Sequence, residues 1–364
     1  MKWTNCLKKS KDLASDMGNT DFSQILKELK EYDGEEVRIM EVCGTHTAAI
    51  SENGIPSLLS PKIKLISGPG CPVCVTVTAV IDKLVELSMQ ENTCVLTFGD
   101  LIRVKGTEKS LADAKADGAN VKMVYSPMET IKLAKEKPEC TFVFAAIGFE
   151  TTTPVYAMVL EEAIKEDIHN LKLLTSLKTM PNVIKWVTEN GGGVDGFIAP
   201  GHVAAVTGSD IFKNLSDELD IPFVVSGFEG KQLILTIYAL VSMKGKKGIK
   251  NLYKSVVTNE GNTKAKELVN KYFEPSDASW RGMGKIKGSG MILREEYRMF
   301  DAGSIGLDED HMPKGCSCAS VLVGKVKPYE CPLFGKNCTP DNAHGACMVS
   351  TEGSCYNYFV SGRK

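Results

Sequence analysis

The chain has 364 residues, with 43 Lys plus Arg against 45 Asp plus Glu and a formal net charge of -2. That length predicts two or three packed units, and the balanced charge offers no basic field, so neither nucleic acid nor an anionic membrane is an expected partner. The opening Met1 to Lys30 has no long apolar core, and no later stretch approaches the ~20 apolar residues of a membrane span, which sets the expectation of a cytoplasmic protein.

An amphipathic helix is expected over Phe22 to Leu29. Beyond it, apolar runs each end in a small-residue loop and give way to a helical pattern: Val37 to Val42, Ile63 to Ile66, Cys94 to Phe98 and Val121 to Tyr125, then Phe142 to Ile147, Leu171 to Leu174, Gly196 to Ala199 and Pro222 to Val225. This is the rhythm of parallel α/β sheets. It predicts two similar Rossmann-like units, 37–127 and 128–230. Gly148-Phe149-Glu150 recurs as Gly227-Phe228-Glu229, and Pro69-Gly70-Cys71 as Pro200-Gly201-His202, which points to duplication. A long apolar helix, Gln232 to Met243, opens a third unit, 231–364, to which residues 1–36 are expected to return.

Twelve cysteines without an export signal suggest metal binding or redox chemistry, because cytosolic thiols are held reduced. Six of them (Cys316, Cys318, Cys331, Cys338, Cys347, Cys355) lie in the last forty-nine residues. Cys6, Cys94 and Cys140 stand alone and read as small buried or incidental thiols. Cys43, Cys71 and Cys74 fall in strand-end loops, where open α/β sheets bind ligands. Cys43 is expected to open a helix whose unpaired N–H groups favour the thiolate, with a protonated His46 lowering its pKa further; the alternative is a buried cysteine beside a capping threonine. The Cys71-Pro72-Val73-Cys74 spacing suits a reversible disulfide or two ligands of one metal. A zinc ribbon needs a second close pair, and the next cysteine is the isolated Cys94, so the redox pair is preferred.

Cys331-x6-Cys338-x8-Cys347-x7-Cys355 supplies the four thiolates of a [4Fe–4S] cluster, or of a zinc ion. Two further sulfurs at Cys316 and Cys318 exceed what a closed tetrahedral zinc site uses. The third unit is therefore expected to be an iron–sulfur domain. Asp100, Arg103, Thr151, Thr152 and Glu229 are polar loop residues, and the threonines read as helix caps. Glu150 and His202, at echoed strand ends facing one notional cleft, are candidates for function.

Taken together, Cys-Gly-Thr-His (Cys43 to His46), Gly-Pro-Gly-Cys-Pro-Val-Cys (Gly68 to Cys74), Thr-Phe-Gly-Asp (Thr97 to Asp100), Gly-Phe-Glu-Thr-Thr (Gly148 to Thr152), Pro-Gly-His-Val (Pro200 to Val203) and Cys-Pro-Leu-Phe-Gly (Cys331 to Gly335) make the sequence resemble the HypD family across nearly its whole length. The resemblance implies a hydrogenase maturation factor, a scaffold with redox activity rather than a conventional turnover enzyme. On it the Fe(CN)2CO part of the [NiFe]-hydrogenase site is assembled with HypC, while HypE delivers cyanide. It implies Cys43 as a ligand of the nascent iron, Cys71 and Cys74 as the redox pair, and Cys331, Cys338, Cys347 and Cys355 as the [4Fe–4S] ligands. Thr45 or His46 would then donate hydrogen bonds to cyanide nitrogens. Two other classes stay open on the residues: a thiol–disulfide oxidoreductase resembling ferredoxin:thioredoxin reductase, with Cys316 and Cys318 as its pair, and a zinc-stabilised interaction protein.

Overall fold

All eight apolar runs form strands in the computed structural model, which describes residues 21–362. They are β1 (Val37–Glu41), β2 (Ile63–Ser67), β3 (Thr93–Thr97), β4 (Val121–Met123), β5 (Thr141–Gly148), β6 (Leu171–Lys178), β7 (Gly196–Pro200) and β8 (Pro222–Ser226). Strands β3, β7 and β8 are buried at every residue, as expected of parallel strands covered on both faces. Three further strands follow: β9 (Gly248–Asn251), β10 (Phe273–Trp280) and β11 (Gly284–Leu293). Cys6 and the rest of the opening segment before residue 21 lie outside the described residues.

Strand pairing does not follow order along the chain. One sheet has the order β2-β1-β7-β8-β9 and the other β10-β11-β6-β5-β3-β4. The unit boundaries 37–127 and 128–230 therefore do not coincide with the sheets. After β2 the chain leaves the first sheet, builds the parallel part of the second, and returns as β7. Hydrophobic runs reveal that strands exist, but not which strand each one pairs with. The first four strands of each parallel core share the order second, first, third, fourth. The tripeptide echoes do not mark equivalent places: Gly148-Phe149-Glu150 follows the third strand of the second sheet, whereas Gly227-Phe228-Glu229 follows the fourth of the first.

Range 231–364 is likewise shared out. Helix Gly230–Met243 covers the first sheet against β7 and β8, β9 extends that sheet, and the β10–β11 hairpin pairs antiparallel with β6. Helix Phe22–Lys30, capped by the Asp21 carboxylate accepting from Ser23 N (3.0 Å), buries Ile25 and Leu29 in one core with Ile39, Leu233 and Ile237. It thus meets the 231–364 range through helix Gly230–Met243, on the outer face of the first sheet. No described helix is long and apolar enough to cross a membrane.

The turn after β2 lies directly on the turn after β1. Gly44 N donates to Gly70 O (3.0 Å), and a Cβ on Gly70 would stand 2.2 Å from Cys43 N and 2.4 Å from the Val42 carbonyl carbon. Both neighbours are backbone, so neither can swing aside. Gly70→Ala is expected to lower unfolding stability by ~1–3 kcal/mol, the usual cost of overpacking, read as a reduced urea midpoint; a wild-type midpoint would contradict this close approach.

Candidate functional site at the carboxyl edge of the first sheet

The strand order of the first sheet reverses between β1 and β7, and crevices at such a switch point are where open α/β sheets bind ligands. Cys43, 8% exposed, lies two residues beyond β1 and immediately precedes helix Gly44–Glu52. Its N–H donates to Oε2 of Glu41 (2.9 Å), whose Oε1 accepts from the Thr47 hydroxyl. Burial pushes the Glu41 carboxyl up to about 8, so this side chain is a protonated acid at neutral pH, holding the turn without a net charge.

The expectation of a Cys43 thiolate is overturned. Burial pushes the thiol up to about 12; the backbone N–H groups of His46 and Thr45 act in the lowering direction, and Glu41 and Glu352 add to the rise. The imidazole of His46 does not help. It is fully buried, its Nε2 donates to Gly227 O (3.1 Å), its Nδ1 has no partner, and burial pushes it down to about 4, so it is neutral. The Thr45 hydroxyl is also committed, donating to Glu352 Oε1 (3.0 Å). In this state neither side chain has a donor free for an added ligand; the amides at the helix start are what face the Cys43 sulfur.

His202, following β7, does share this crevice. Its ring stacks on Phe228 at 4.1 Å, and His46 lies against the same phenyl at 4.6 Å. Glu150 falls elsewhere, at the end of β5 in the second sheet. Its Oε1 accepts from Met180 N (2.8 Å) at the start of helix Met180–Asn190, the capping role of a structural residue. The residue as a whole is half-buried, yet its Oε2 is buried and unpartnered, and burial pushes the carboxyl up to about 7. Thr152, expected as a cap, makes no side-chain cap bond, whereas the Thr153 hydroxyl donates to Phe149 O (3.0 Å).

Cys71 and Cys74 form a disulfide with Cα atoms 5.2 Å apart. Cys74 Sγ lies 3.9 Å from Ala346 O, one residue before Cys347. The C-terminal segment around it is pinned to both sheets. Asp100 Oδ2 accepts from the Ser350 hydroxyl (2.8 Å), Arg103 Nη2 donates to Val349 O (3.0 Å), and Ser51 donates to Asn357 O (3.1 Å). A Cβ on Gly44 would stand 2.4 Å from Glu352 Cβ, so the helix after Cys43 is packed tightly against this segment.

All six C-terminal cysteines line one small cavity together with Leu333, Phe334 and Met348. Among the described residues no three His, Cys, Asp or Glu side chains converge as a finished metal shell. The donor chemistry nevertheless fits a thiolate-bound metallocentre. Burial, and then the neighbouring Cys318, Cys316, Cys338 and Cys331, push the Cys355 thiol well up, so these sulfurs can be thiolates together only around a cation. His344 N donates to Cys338 Sγ (3.3 Å). Cys316 and Cys318 are free thiols in the same wall.

Fold and site define a class: a chain of two α/β sheets with a buried thiol, a disulfide and a thiol-lined cavity gathered at one sheet edge. The family model of HypD, described as the hydrogenase formation hypA family, matches residues 20–362. The hydrogenase maturation factor HypD of Escherichia coli is 39% identical over 92% of this chain and 94% of its own length. That of Azotobacter vinelandii is 39% identical over 90% of each chain, and a putative hydrogenase expression/formation protein of Methanocaldococcus jannaschii is 38% identical over 89% of this chain and 92% of its own. The chain belongs to the HypD family of hydrogenase maturation factors.

The carboxyl of Glu150, outside the crevice, gives the fold a pH signature. Between its ordinary 4.5 and the raised value of about 7, the folded chain keeps a proton that the unfolded chain has lost, so stability falls as pH rises, by ~1.4 kcal/mol per pH unit. Glu150→Gln keeps an acceptor for Met180 N and is expected to flatten that fall when urea unfolding is followed from pH 4.5 to 7; the same slope in both proteins would show that the acid is not buried.

Proposed function

We propose that this maturation factor is the scaffold on which the Fe(CN)2CO unit of a [NiFe] hydrogenase is assembled, acting with HypC and receiving cyanide through HypE. The observation that carries the reading is the meeting of the Cys43 turn, the Cys71–Cys74 disulfide and the cysteine-bearing C-terminal segment within one hydrogen-bonded assembly. In this reading Cys43 is the chain's ligand for the iron being built. A thiolate is a soft ligand suited to low-spin iron. Because the free thiol is pushed up to about 12, binding must expel a proton, which makes loading pH-dependent. The amides of Thr45 and His46 supply donors beside the sulfur, and neutral His46 holds Phe228 in place with His202 opposite. With Cys71 and Cys74 paired, the crevice offers no second free cysteine next to Cys43 among the described residues, which favours a partner such as HypC as source of the other ligand.

Cys331, Cys338, Cys347 and Cys355 would hold a [4Fe–4S] cluster, which when bound supplies one-electron transfer. Opening the Cys71–Cys74 bond takes up two electrons and two protons, and gives two thiols beside the iron-binding cysteine. The contact of Cys74 with Ala346 also suits a thiol–disulfide oxidoreductase. Here the pair would be Cys71 and Cys74 rather than Cys316 and Cys318, which are unlinked and line the cavity. Cys43 separates the two readings, since a reductase has no use for it.

Anaerobic co-purification with HypC followed by infrared spectroscopy tests the scaffold reading. Cys43→Ala is expected to abolish the bands of iron-bound cyanide and carbonyl while leaving chain-bound iron and sulfide intact; bands at wild-type intensity would contradict Cys43 ligation. Cys338→Ser is expected to remove the visible absorption of the chain together with its iron and sulfide. Unchanged iron and sulfide would contradict the cluster ligands.

A further inference from the structure

The second sheet carries a cavity that the maturation site does not use. It has a volume of about 420 Å³ and opens beside the seam between β6 and β11, walled by Thr175 to Lys178, Ser276 to Ser279, Met291 and the loop Ser304 to Asp308. We propose that this cavity binds a compact oxyanion, the carboxylate or terminal phosphate of a small molecule, with Lys178 as its counter-ion.

Lys178 is 2% exposed, and its Nζ donates to the Ser176 hydroxyl (2.9 Å) and lies 5.7 Å from the Trp280 ring centroid. It forms no ion pair among the described residues. Asp310 attracts it from a distance, but that carboxylate already faces Arg281 (3.8 Å) and accepts from Gly282 N (2.7 Å). A buried ammonium needs a paired anion or it sheds its proton, and burial pushes this amine down to about 7. An anion in the cavity restores the charged form.

The surrounding polar groups ask for the same ligand. Thr175, Ser176 and Ser276 have hydroxyl protons without an acceptor among the described residues. The acidic groups of the wall are already engaged. Asp308 accepts from Ser279 (2.6 Å) and Lys285 (2.9 Å), and Asp277 accepts from Gly288 N (2.9 Å). Unfilled donors thus surround one uncompensated cation, and nothing there waits for a cation. The wall is also built of hydrogen-bonded strands, so its hydroxyls and Lys178 are held in place before a ligand arrives.

The test is isothermal titration calorimetry of the full chain with inorganic phosphate and, separately, with succinate, in 0.15 M NaCl to suppress surface attraction. Wild type is expected to bind at least one of them. Phosphate alone identifies a phosphate-bearing ligand, succinate alone a carboxylate, and both a general oxyanion site. Lys178→Met, which keeps the volume and removes the charge, is expected to weaken binding tenfold or more without lowering the thermal midpoint of the anion-free protein. Should that variant not fold, Ser176→Ala decides, with a loss of threefold or more expected. Failure of wild type to bind either anion, or wild-type affinity in a folded variant, would overturn the proposal.

Discussion

The site depends on one contact, the seating of the Gly68-Pro69-Gly70 turn on the backbone of Val42 and Cys43. With no side chain at position 70, two strand-end loops of the same sheet come within a single hydrogen bond of each other. That approach sets Cys43 beside the Cys71–Cys74 disulfide. It also leaves the outer side of the disulfide turned to the C-terminal segment, where Cys74 meets Ala346. The segment is held in turn by Asp100 and Arg103 from the second sheet and by Thr45 and Ser51 from the first. Sulfur sites that lie far apart in sequence are thereby brought together by one backbone contact and by side-chain hydrogen bonds from both sheets.

Burial decides the chemistry more than the helix start does. A cysteine preceding a helix has a lowered pKa when solvent or a cation shares the site. Here Cys43 is enclosed with the acids Glu41 and Glu352, and the thiol is pushed up to about 12. The crevice accordingly rests as a set of neutral groups: a thiol, a protonated Glu41 and an uncharged His46. Such a set is inert toward exposed-thiol chemistry. Under the proposed iron ligation it would acquire charge as a metal displaces the thiol proton, which would couple loading to pH.

Eight of the nine parallel strands among the described residues were legible because buried strands read as apolar runs. The sites at their ends were legible because glycine and cysteine stand out in strand-end loops. Their partnership was not. The nesting of one sheet within the other depends on long-range pairing that leaves no local mark. The β10–β11 hairpin was hidden by its glycines, lysines and serines, in which Phe273, Trp280 and Ile286 supply the buried positions. Glu41 was missed inside a run read only for its apolar residues, although a carboxylate two positions before Cys43 in such a run was the available signal. Glu352 and the Asp100–Ser350 bond were beyond sequence reasoning, because they join residues some 250 or more positions apart.

In the proposed function the disulfide and the C-terminal thiols form one redox unit, joined where Cys74 touches the residue before Cys347. An anaerobic redox titration of the full chain, with the Cys71–Cys74 bond followed by alkylation and mass spectrometry, measures that claim in wild type and in Cys347→Ser. If the two are joined, removing the Cys347 thiol shifts the disulfide midpoint by roughly 30 mV or more, a tenfold change in its equilibrium constant. Identical midpoints in the two proteins would contradict it.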